Sequence, residues 1–266
     1  MSVQFNIGGT IKTPTKVQAN IGGVIKEISK IQANIGGVIK EIWSAASGID
    51  AYVMAMLHFN GTDASTTFTD ETGKTWTRQG NAQIDTARKK FGTASGLFDG
   101  TGDYIDTPDS ADFDVGSGDF TVDFWLQRGA LGALTVFGQG NSSLAAASTS
   151  MRCRFASDIP VFAVSSGGTA YTTSAGATAI TADSAWHHIA VVRYGNTLTL
   201  YLDGVAQGTA DVTGVTVNNS SNKFAIGRPG EYNGYYFKGW IDEFRFSKGI
   251  ARWTTNFTPP TSEYTA

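Results

Sequence analysis

The chain has 266 residues, a formal net charge of −3 at pH 7 and 16% charged residues. No basic stripe is present, which argues against nucleic acid as the main partner. The single cysteine, Cys153, excludes an intramolecular disulfide. No stretch approaches the roughly 18 consecutive apolar residues of a membrane span. We therefore expect a folded protein that neither binds nucleic acid nor inserts into a membrane.

Residues 1–48 repeat one short phrase three times, at 3–9, 17–23 and 31–37. A strand of about five residues, a Gly-Gly reversal and a second strand fill each unit, which is the pattern of a β-hairpin repeat. Three such units carry too little apolar surface to fold alone. We therefore predict a short arm that anchors the chain or makes it oligomerise.

The predicted arm ends near Trp43, and the small residues at 44–48 form a predicted linker. We place the domain boundary near residue 49, which gives an arm at 1–48 and one domain at 49–266.

Short strand patterns dominate the remaining sequence. Between residues 120 and 127, apolar side chains alternate with others, which predicts a half-buried strand. A run of alternating leucines leads into Asp203 and Gly204, a strong hairpin signal. No helical periodicity is found. The predicted fold class is all-β: a two-sheet antiparallel jelly-roll sandwich preceded by a short β-hairpin repeat arm.

Six phrases in order between residues 53 and 260 carry a family resemblance: 57–61, 91–92 with 98–100, 120–125, 186–191, 200–204 and 239–245. Together they resemble the concanavalin A-like lectin/glucanase superfamily, in its laminin-G and pentraxin-like branch. The resemblance implies a jelly roll with one concave and one convex sheet. The hairpin repeats resemble segments of tailed-bacteriophage structural proteins, which implies a virion protein.

The superfamily is otherwise mostly secreted, yet the first residues have neither the basic region nor the apolar run of a signal peptide. A virion protein that is made in the host cytoplasm and released by lysis accounts for both observations. We therefore expect a virion location.

Catalysis is not expected from the carboxylates. Glycoside hydrolysis needs two carboxylates that flank the bond, and the resemblance implies two Glu four residues apart on one strand. No such pair occurs among the six Glu of the chain. The adjacent His187 and His188 point to opposite faces of a predicted strand, so they cannot chelate one ion. We therefore predict that the protein is not an enzyme.

A calcium site is predicted around Asp242. Alternation places Asp242 on the inward face of its strand, and a buried carboxylate needs hydrogen-bond donors or a cation. Oxygen ligands suit Ca²⁺, and the resemblance implies a calcium ion where the first and last strands meet. The alternatives are a hydrogen bond or ion pair, to Arg245 or a backbone amide, and a bulge that changes the phase. The predicted ligands are Asp242, Asp63, Asp70 and Asn60.

A sugar-binding surface is predicted from aromatic residues beside polar groups, because the C–H face of a sugar stacks on an aromatic ring. The loop at 232–236 has this composition, and two outward strand positions add further rings. The predicted ligand-binding residues are Trp125, Tyr232, Tyr235, Tyr236, Asp123 and Tyr201. The alternative is that the outward aromatic residues pack under loops or against a neighbouring subunit.

These observations predict a non-enzymatic bacteriophage virion protein, in a tail fibre, a tail tip or a decoration protein. It would display a lectin-like domain for adhesion to host-surface glycan. Residues 1–48 would contact other virion subunits and form a homo-oligomer, for which phage fibres favour a trimer. The alternatives are a purely structural capsid, neck or tail decoration module without glycan binding, and a bacterial glycan-active enzyme or binding module.

Overall fold

The computed structural model describes residues 50–141, 148–166 and 170–264, together with the strands within residues 5–44. The chain divides into two compact units, the first ending at Asp50 and the second comprising Ala51–Tyr264.

The described residues of the first unit form six strands that pair antiparallel in twos: β1 (Phe5–Ile7) with β2 (Thr10–Lys12), β3 (Val17–Ile21) with β4 (Val24–Ile28), and β5 (Lys30–Ile35) with β6 (Val38–Ser44). The predicted Gly-Gly reversals lie outside the described residues, as does the predicted linker after Ser44. The hairpin repeat therefore stays a prediction.

The second unit consists of two antiparallel sheets. The first sheet contains β7 (Val53–Leu57), β9 (Gln83–Asp85), β10 (Ser95–Asp99), β12 (Phe120–Arg128), β17 (His187–Tyr194), β18 (Thr197–Leu202), β19 (Val205–Asp211) and β21 (Lys238–Lys248). Its order is β19-β18-β17-β12-β21-β10-β9, and β7 also pairs with β21. Since β10 pairs with residues 238–241 and β7 with residues 244–247, both lie along one edge of β21.

The second sheet has the order β16-β15-β14-β13-β20-β11-β8. Its strands are β8 (Thr77–Gln79), β11 (Tyr104–Thr107), β13 (Thr135–Gln139), β14 (Met151–Ala156), β15 (Ile159–Ser166), β16 (Ala170–Ala175) and β20 (Phe224–Ile226). A single turn of 3-10 helix, Ala111–Phe113, precedes β12. Within the described residues, no helix has the length and apolarity of a membrane span. The two-sheet sandwich confirms the predicted fold class.

Phenylalanine side chains fill the space between the two sheets. Phe124 of the first sheet meets Phe137 of the second at 5.8 Å between ring centroids, and Phe137 lies 5.6 Å from Phe224. Phe224 in turn contacts Phe246 at 5.8 Å. Burying each such ring contributes roughly 1.5–3 kcal/mol. This core holds the two sheets together and leaves their outer faces for other contacts.

A bulge interrupts β21 in the middle of the first sheet. Asp123 pairs with Arg245, but Trp125 pairs with Asp242, so one residue of β12 faces two of β21. Glu243, at the bulge, has a φ of 54°, which is unusual for a residue other than glycine.

The bulge places Asp242 on the outer face of the sheet. Ile241 and Phe244 both belong to the core although three positions separate them. Asp242 shares a face with its cross-strand partner Trp125. The prediction that Asp242 faces inward is therefore wrong, because it assumed regular alternation through β21. The alternative, a bulge that changes the phase, is what the structure contains.

Candidate functional site

The C-terminal segment, residues 250–264, covers part of the outer face of the first sheet. The rings of Trp253 and Phe257 stack at 4.0 Å between centroids. Phe257 lies 5.4 Å from Tyr201 and 5.7 Å from His188. The hydroxyl of Tyr264 is 3.0 Å from Nε2 of His188. Aromatic side chains on this face therefore pack beneath their own chain.

Three of the predicted sugar-binding residues are buried on this face. Trp125, Asp123 and Tyr201 are exposed by only 5%, 0% and 2%. Phe91 meets Trp125 edge-on at 5.7 Å, and Nζ of Lys90 lies 3.9 Å from the centroid of the Trp125 ring. The prediction that they form an exposed binding surface is wrong. Alternation determines the side of the sheet to which a residue points, but not what covers that side.

Trp125, which is 5% exposed, lines a cavity of about 450 Å³ together with Trp186 and Asp203. Because Lys90 lies over the ring of Trp125, one face of that ring is not free to stack on a sugar.

Asp123 forms a buried ion pair. Its carboxylate accepts hydrogen bonds from Nε and Nη2 of Arg245 at 3.0 and 2.9 Å. Burial opposes ionisation of Asp123, but the charge of Arg245 and hydrogen bonds from His188 and Arg245 outweigh it and lower its pKa to about 2. Asp123 is thus a structural residue of the first sheet.

Asp242 is held by backbone amides of a neighbouring loop. Its Oδ2 accepts hydrogen bonds from the amides of Lys90 at 2.7 Å and Phe91 at 3.1 Å. Its Oδ1 is buried and has no hydrogen-bond partner among the described residues. Burial raises the pKa of Asp242 to about 7, although the two amides oppose that rise.

The structure does not gather the three carboxylates among the predicted calcium ligands. Among the described residues, Asp242, Asp63 and Asp70 do not share a group of ligand atoms. Each of the other three predicted ligands accepts hydrogen bonds elsewhere in the fold. The donors include Thr86 for Asp63, Trp76 for Asp70 and Thr93 for Asn60. The three carboxylates are therefore not gathered into one group, and calcium binding stays a prediction.

A different group lies near the bulge. His58, Glu243 and Glu263 each place one ligand atom within 4.8 Å of the others. Nδ1 of His58 is 2.9 Å from both carboxylate oxygens of Glu243, and Asn60 donates to Glu263 at 2.5 Å. The hydrogen bond to Glu243 raises the pKa of His58, while burial opposes the rise. One nitrogen and two carboxylates could hold a transition metal better than calcium.

Sequence reasoning missed this group because its members are far apart in the chain. The prediction used Asp242, but at the bulge the next residue, Glu243, is the one that contacts His58. No local spacing signals a contact between residues 58, 243 and 263.

The loop at 228–236 is attached to the first residue of β13 and to Gly140, the residue that follows β13. The amide of Glu231 donates to the carbonyl of Gly140 at 2.7 Å, and the amide of Thr135 donates to the carbonyl of Tyr235 at 2.7 Å. Gly230 has a φ of 62°, and a Cβ at this position would lie 2.3 Å from the nitrogen of Gly140. Only glycine fits so close to Gly140.

Four tyrosine rings lie in and beside this loop. Tyr232 and Tyr235 are stacked with 5.6 Å between centroids, and Tyr235 is 50% exposed. Tyr236 stacks on Tyr104 of β11 at 6.2 Å, and the guanidinium of Arg228 lies 3.5 Å from the Tyr104 centroid. The structure thus brings together the three predicted loop tyrosines. Tyr104 and Arg228 were not predicted, although an outward position on a strand is a signal that could have indicated Tyr104.

A cavity of about 190 Å³ adjoins Tyr235, and we call it the tyrosine-loop cavity. Its lining residues are Ala133, Leu134, Thr135, Arg152, Arg154, Phe155 and Tyr235. It combines an exposed aromatic ring, apolar walls and two cationic side chains, which is the composition of a small-molecule site.

Comparison with protein families identifies the class of fold. A laminin-G-like family model of the concanavalin A-like lectin/glucanases superfamily matches residues 99–252. Because this match covers more than half of the chain, the chain belongs to that superfamily. Comparison with curated proteins by sequence gave no match.

Solved structures share the fold at low identity. The binding domain of Paraclostridial Mosquitocidal Protein 1 is 15% identical with a TM-score of 0.56, and that of botulinum neurotoxin serotype D is 12% identical with a TM-score of 0.57. Each match covers 75% of this chain and 49% of the other, so this chain spans about half the length of those binding domains.

A third structure is matched over most of its length. Domain 4 of AbnA, a GH43 extracellular arabinanase from Geobacillus stearothermophilus, was solved in complex with arabinotriose. It is 20% identical with a TM-score of 0.50, and the match covers 75% of this chain and 94% of that domain. At these identities the likeness shows a common fold.

Proposed function

We propose that the chain is a non-enzymatic glycan-binding protein of a bacteriophage virion, in a tail fibre, a tail tip or a decoration protein. The observation that carries the glycan-binding part is the half-exposed ring of Tyr235, stacked on Tyr232 beside the tyrosine-loop cavity. A tyrosine held in this way presents a rigid face on which a sugar ring can stack.

The fold supports a binding role in general terms. The superfamily includes lectins, and the AbnA domain of this fold was solved with an oligosaccharide. The phage context is supported by the resemblance of the repeats at 1–48 to phage structural segments. In this proposal the arm contacts other virion subunits and the domain at 49–266 contacts host-surface glycan.

The geometry predicts a weak single site. One aromatic contact contributes about 0.5–1.5 kcal/mol beyond the area it buries, and the tyrosine-loop cavity holds only a monosaccharide-sized group. Display of several copies on one particle would raise the overall avidity without any new contact. The proposed oligomer would therefore compensate for the weak affinity of each single site.

A glycan array with the full-length protein tests the proposal. We expect wild type to bind at least one bacterial surface glycan, and Tyr235→Ala to weaken that binding several-fold with nearly unchanged thermal stability. Tyr194→Ala is the matched control, because Tyr194 is a 60% exposed tyrosine at the end of β17. Loss of binding in both variants would contradict a role for the tyrosine loop.

Two further results would overturn other parts of the proposal. Release of new reducing ends from a bound glycan would contradict the non-enzymatic role. Wild-type adsorption to host cells by particles that carry Tyr235→Ala would favour the purely structural alternative. Imaging of particles with the labelled chain tests the virion location.

A further inference from the structure

Three segments that are distant in the chain meet beside the bulge of β21. His58 directly follows β7, Glu243 lies at the bulge, and Glu263 lies near the end of the C-terminal segment. Each of these side chains places one ligand atom within 4.8 Å of the others, and we call them the His58 group. The fold therefore concentrates one imidazole and two carboxylates at a single point.

The spacing within the His58 group suits one small metal ion. Zn²⁺ binds imidazole nitrogen and carboxylate oxygen at about 2.0–2.2 Å, so neighbouring ligand atoms of a tetrahedral ion lie roughly 3.4 Å apart. Nδ1 of His58 is 2.9 Å from both carboxylate oxygens of Glu243, and no two ligand atoms of the group are more than 4.8 Å apart. These spacings bracket the required value. Rotations of the three side chains therefore suffice to form the site.

Negative charge exceeds positive charge in the His58 group. Two carboxylates face one imidazole, and no Lys or Arg in the described ranges forms an ion pair with Glu243 or Glu263. Besides the hydrogen bond to Glu243, the charges of Glu71 and Glu263 raise the pKa of His58. The side chain of Glu243 is 0% exposed, and a buried carboxylate needs compensating positive charge. A proton on His58 supplies one unit of that charge, whereas a divalent cation supplies two.

We propose that the His58 group binds a divalent transition metal ion such as Zn²⁺. Nδ1 of His58 and one oxygen each from Glu243 and Glu263 are the ligands, and water completes the coordination shell. The ion takes the place of the proton that Nδ1 shares with Glu243, so binding releases about one proton. The nitrogen ligand favours Zn²⁺, because Ca²⁺ and Mg²⁺ take oxygen ligands. None of the three ligands belongs to the calcium site predicted from the sequence.

A metal ion in the His58 group fastens the C-terminal segment to the first sheet. Glu263 belongs to that segment, whereas His58 and Glu243 adjoin the paired strands β7 and β21. The segment already packs on this sheet through Phe257, whose ring is 5.4 Å from that of Tyr201. Because all three ligands meet only while the segment is in place, the ion stabilises the segment in its position over the aromatic residues beneath it.

Zinc titration of the full-length, untagged protein tests the inference. After treatment with EDTA and dialysis, we expect calorimetry to show one Zn²⁺ bound per chain, in the micromolar range or more tightly. We expect Zn²⁺ to raise the melting temperature, and equal concentrations of Ca²⁺ or Mg²⁺ to leave it nearly unchanged. Zinc affinity should fall by roughly 10-fold or more as pH is lowered from 8 to 6, because protons compete for Nδ1 of His58.

Two ligand variants and one control make the test specific. Glu263→Gln should weaken zinc binding about 10-fold or more and leave the melting temperature without zinc nearly unchanged. His58→Gln removes the nitrogen ligand and should weaken binding at least as much, and Glu263→Gln still provides the test if this variant does not fold. His187→Gln is the matched control and should bind zinc like wild type. Nδ1 of His187 is 2.8 Å from the carboxylate of Asp203, but no third ligand joins that pair among the described residues.

Three results would overturn the inference. Wild type could show neither zinc binding nor a zinc-dependent melting shift. Zinc affinity could stay unchanged in both Glu263→Gln and His58→Gln, or be lost in His187→Gln, which would place the bound zinc elsewhere. Calcium could stabilise the protein as much as zinc does, which would contradict a site with a nitrogen ligand. None of these results bears on glycan binding, because the tyrosine-loop cavity and the His58 group share no residue.

Discussion

Tyr235 combines exposure with backbone strain. Its φ of 53° lies in the left-handed region, which costs a residue other than glycine on the order of 1 kcal/mol. The two attachments of its loop hold it there. Strain that persists at an exposed aromatic residue is typical of a binding site, because the fold retains the ring in one position. Binding then loses little conformational entropy.

Trp125 is a structural residue, and its removal should destabilise the domain. We expect Trp125→Ala to lower the free energy of unfolding by about 3–5 kcal/mol, because a buried indole leaves a cavity. Urea denaturation measures this, with Tyr194→Ala as a control that should stay close to wild type. If Trp125→Ala kept its stability but lost glycan binding, Trp125 would be a ligand-binding residue and not a structural one.

Asp242 should make the wild type less stable as pH rises. Its pKa of about 7 in the folded state lies above the ordinary value of 3.8. Folding therefore favours the protonated form, and this stabilising contribution is complete below about pH 4 and lost as pH rises through about 7. Asp242→Asn cannot ionise, so we expect it to gain stability relative to wild type over that range, by up to about 4 kcal/mol.

Urea denaturation from pH 4 to pH 8, with calcium and with EDTA, makes that comparison. The predicted calcium site makes the opposite prediction. Calcium would then raise the melting temperature of the wild type but not that of Asp242→Asn. This result would show that Asp242 binds calcium and would contradict the prediction that its buried carboxylate is destabilising when ionised.

At the scale of elements, two segments outside the strands decide what each outer face can do. Residues 250–264 cover aromatic side chains of the first sheet, including Tyr201. The loop at 228–236 instead presents Tyr235 to solvent beside the second sheet. Both sheets have aromatic residues on their outer faces. The difference in availability comes from the segments that pack on them.

Gly230 positions the tyrosine loop, and a side chain there should disturb it. Gly230→Ala introduces both an unfavourable φ of 62° and a Cβ only 2.3 Å from the nitrogen of Gly140. We expect a loss of stability larger than about 1 kcal/mol and weaker glycan binding. Gly195→Ala is the matched control, because Gly195 has a φ of 56° and nothing within 4 Å of the added Cβ.

The control should lose only the backbone term, about 1 kcal/mol, and should bind glycan like wild type. Thermal melts and glycan titrations of the two variants measure the difference. Equal behaviour of both variants would show that the contact between Gly230 and Gly140 does not hold the binding loop.

At the scale of the whole molecule, the second unit has its own hydrophobic core within Ala51–Tyr264. The first unit consists of strand pairs, and pairs of this size are marginal in water without further burial. We therefore expect the second unit to fold stably by itself and the first unit not to do so. This contrast is also the reason why we propose that the arm associates with other chains.

The arm should control the oligomeric state and leave domain stability unchanged. We expect residues 1–266 to form a homo-oligomer, with a trimer favoured, and residues 49–266 to be monomeric with the same melting temperature for the β domain. Light scattering and thermal melts measure the two properties. Monomers in both cases, at micromolar concentration, would instead make the arm a docking segment for other virion proteins.

The sequence alone determined the fold class and the composition of the candidate loop. Alternation is local, so strands such as β12 and a sandwich without long helices follow from neighbouring residues. The tyrosines at 232–236 were also evident, because an aromatic and polar loop without apolar periodicity is favoured at the surface.

Only the tertiary structure decided which outward residues remain available. Trp125 and Tyr201 point outward as predicted, but residues 88–93 and 250–264 pack over them. The bulge at Glu243 shifts the phase of β21, and nothing in the local pattern marks it. Arg152 and Arg154 meet Tyr235 across about 80 residues of chain. Such contacts depend on how distant segments pack, and the periodicity of a single strand carries no information about them.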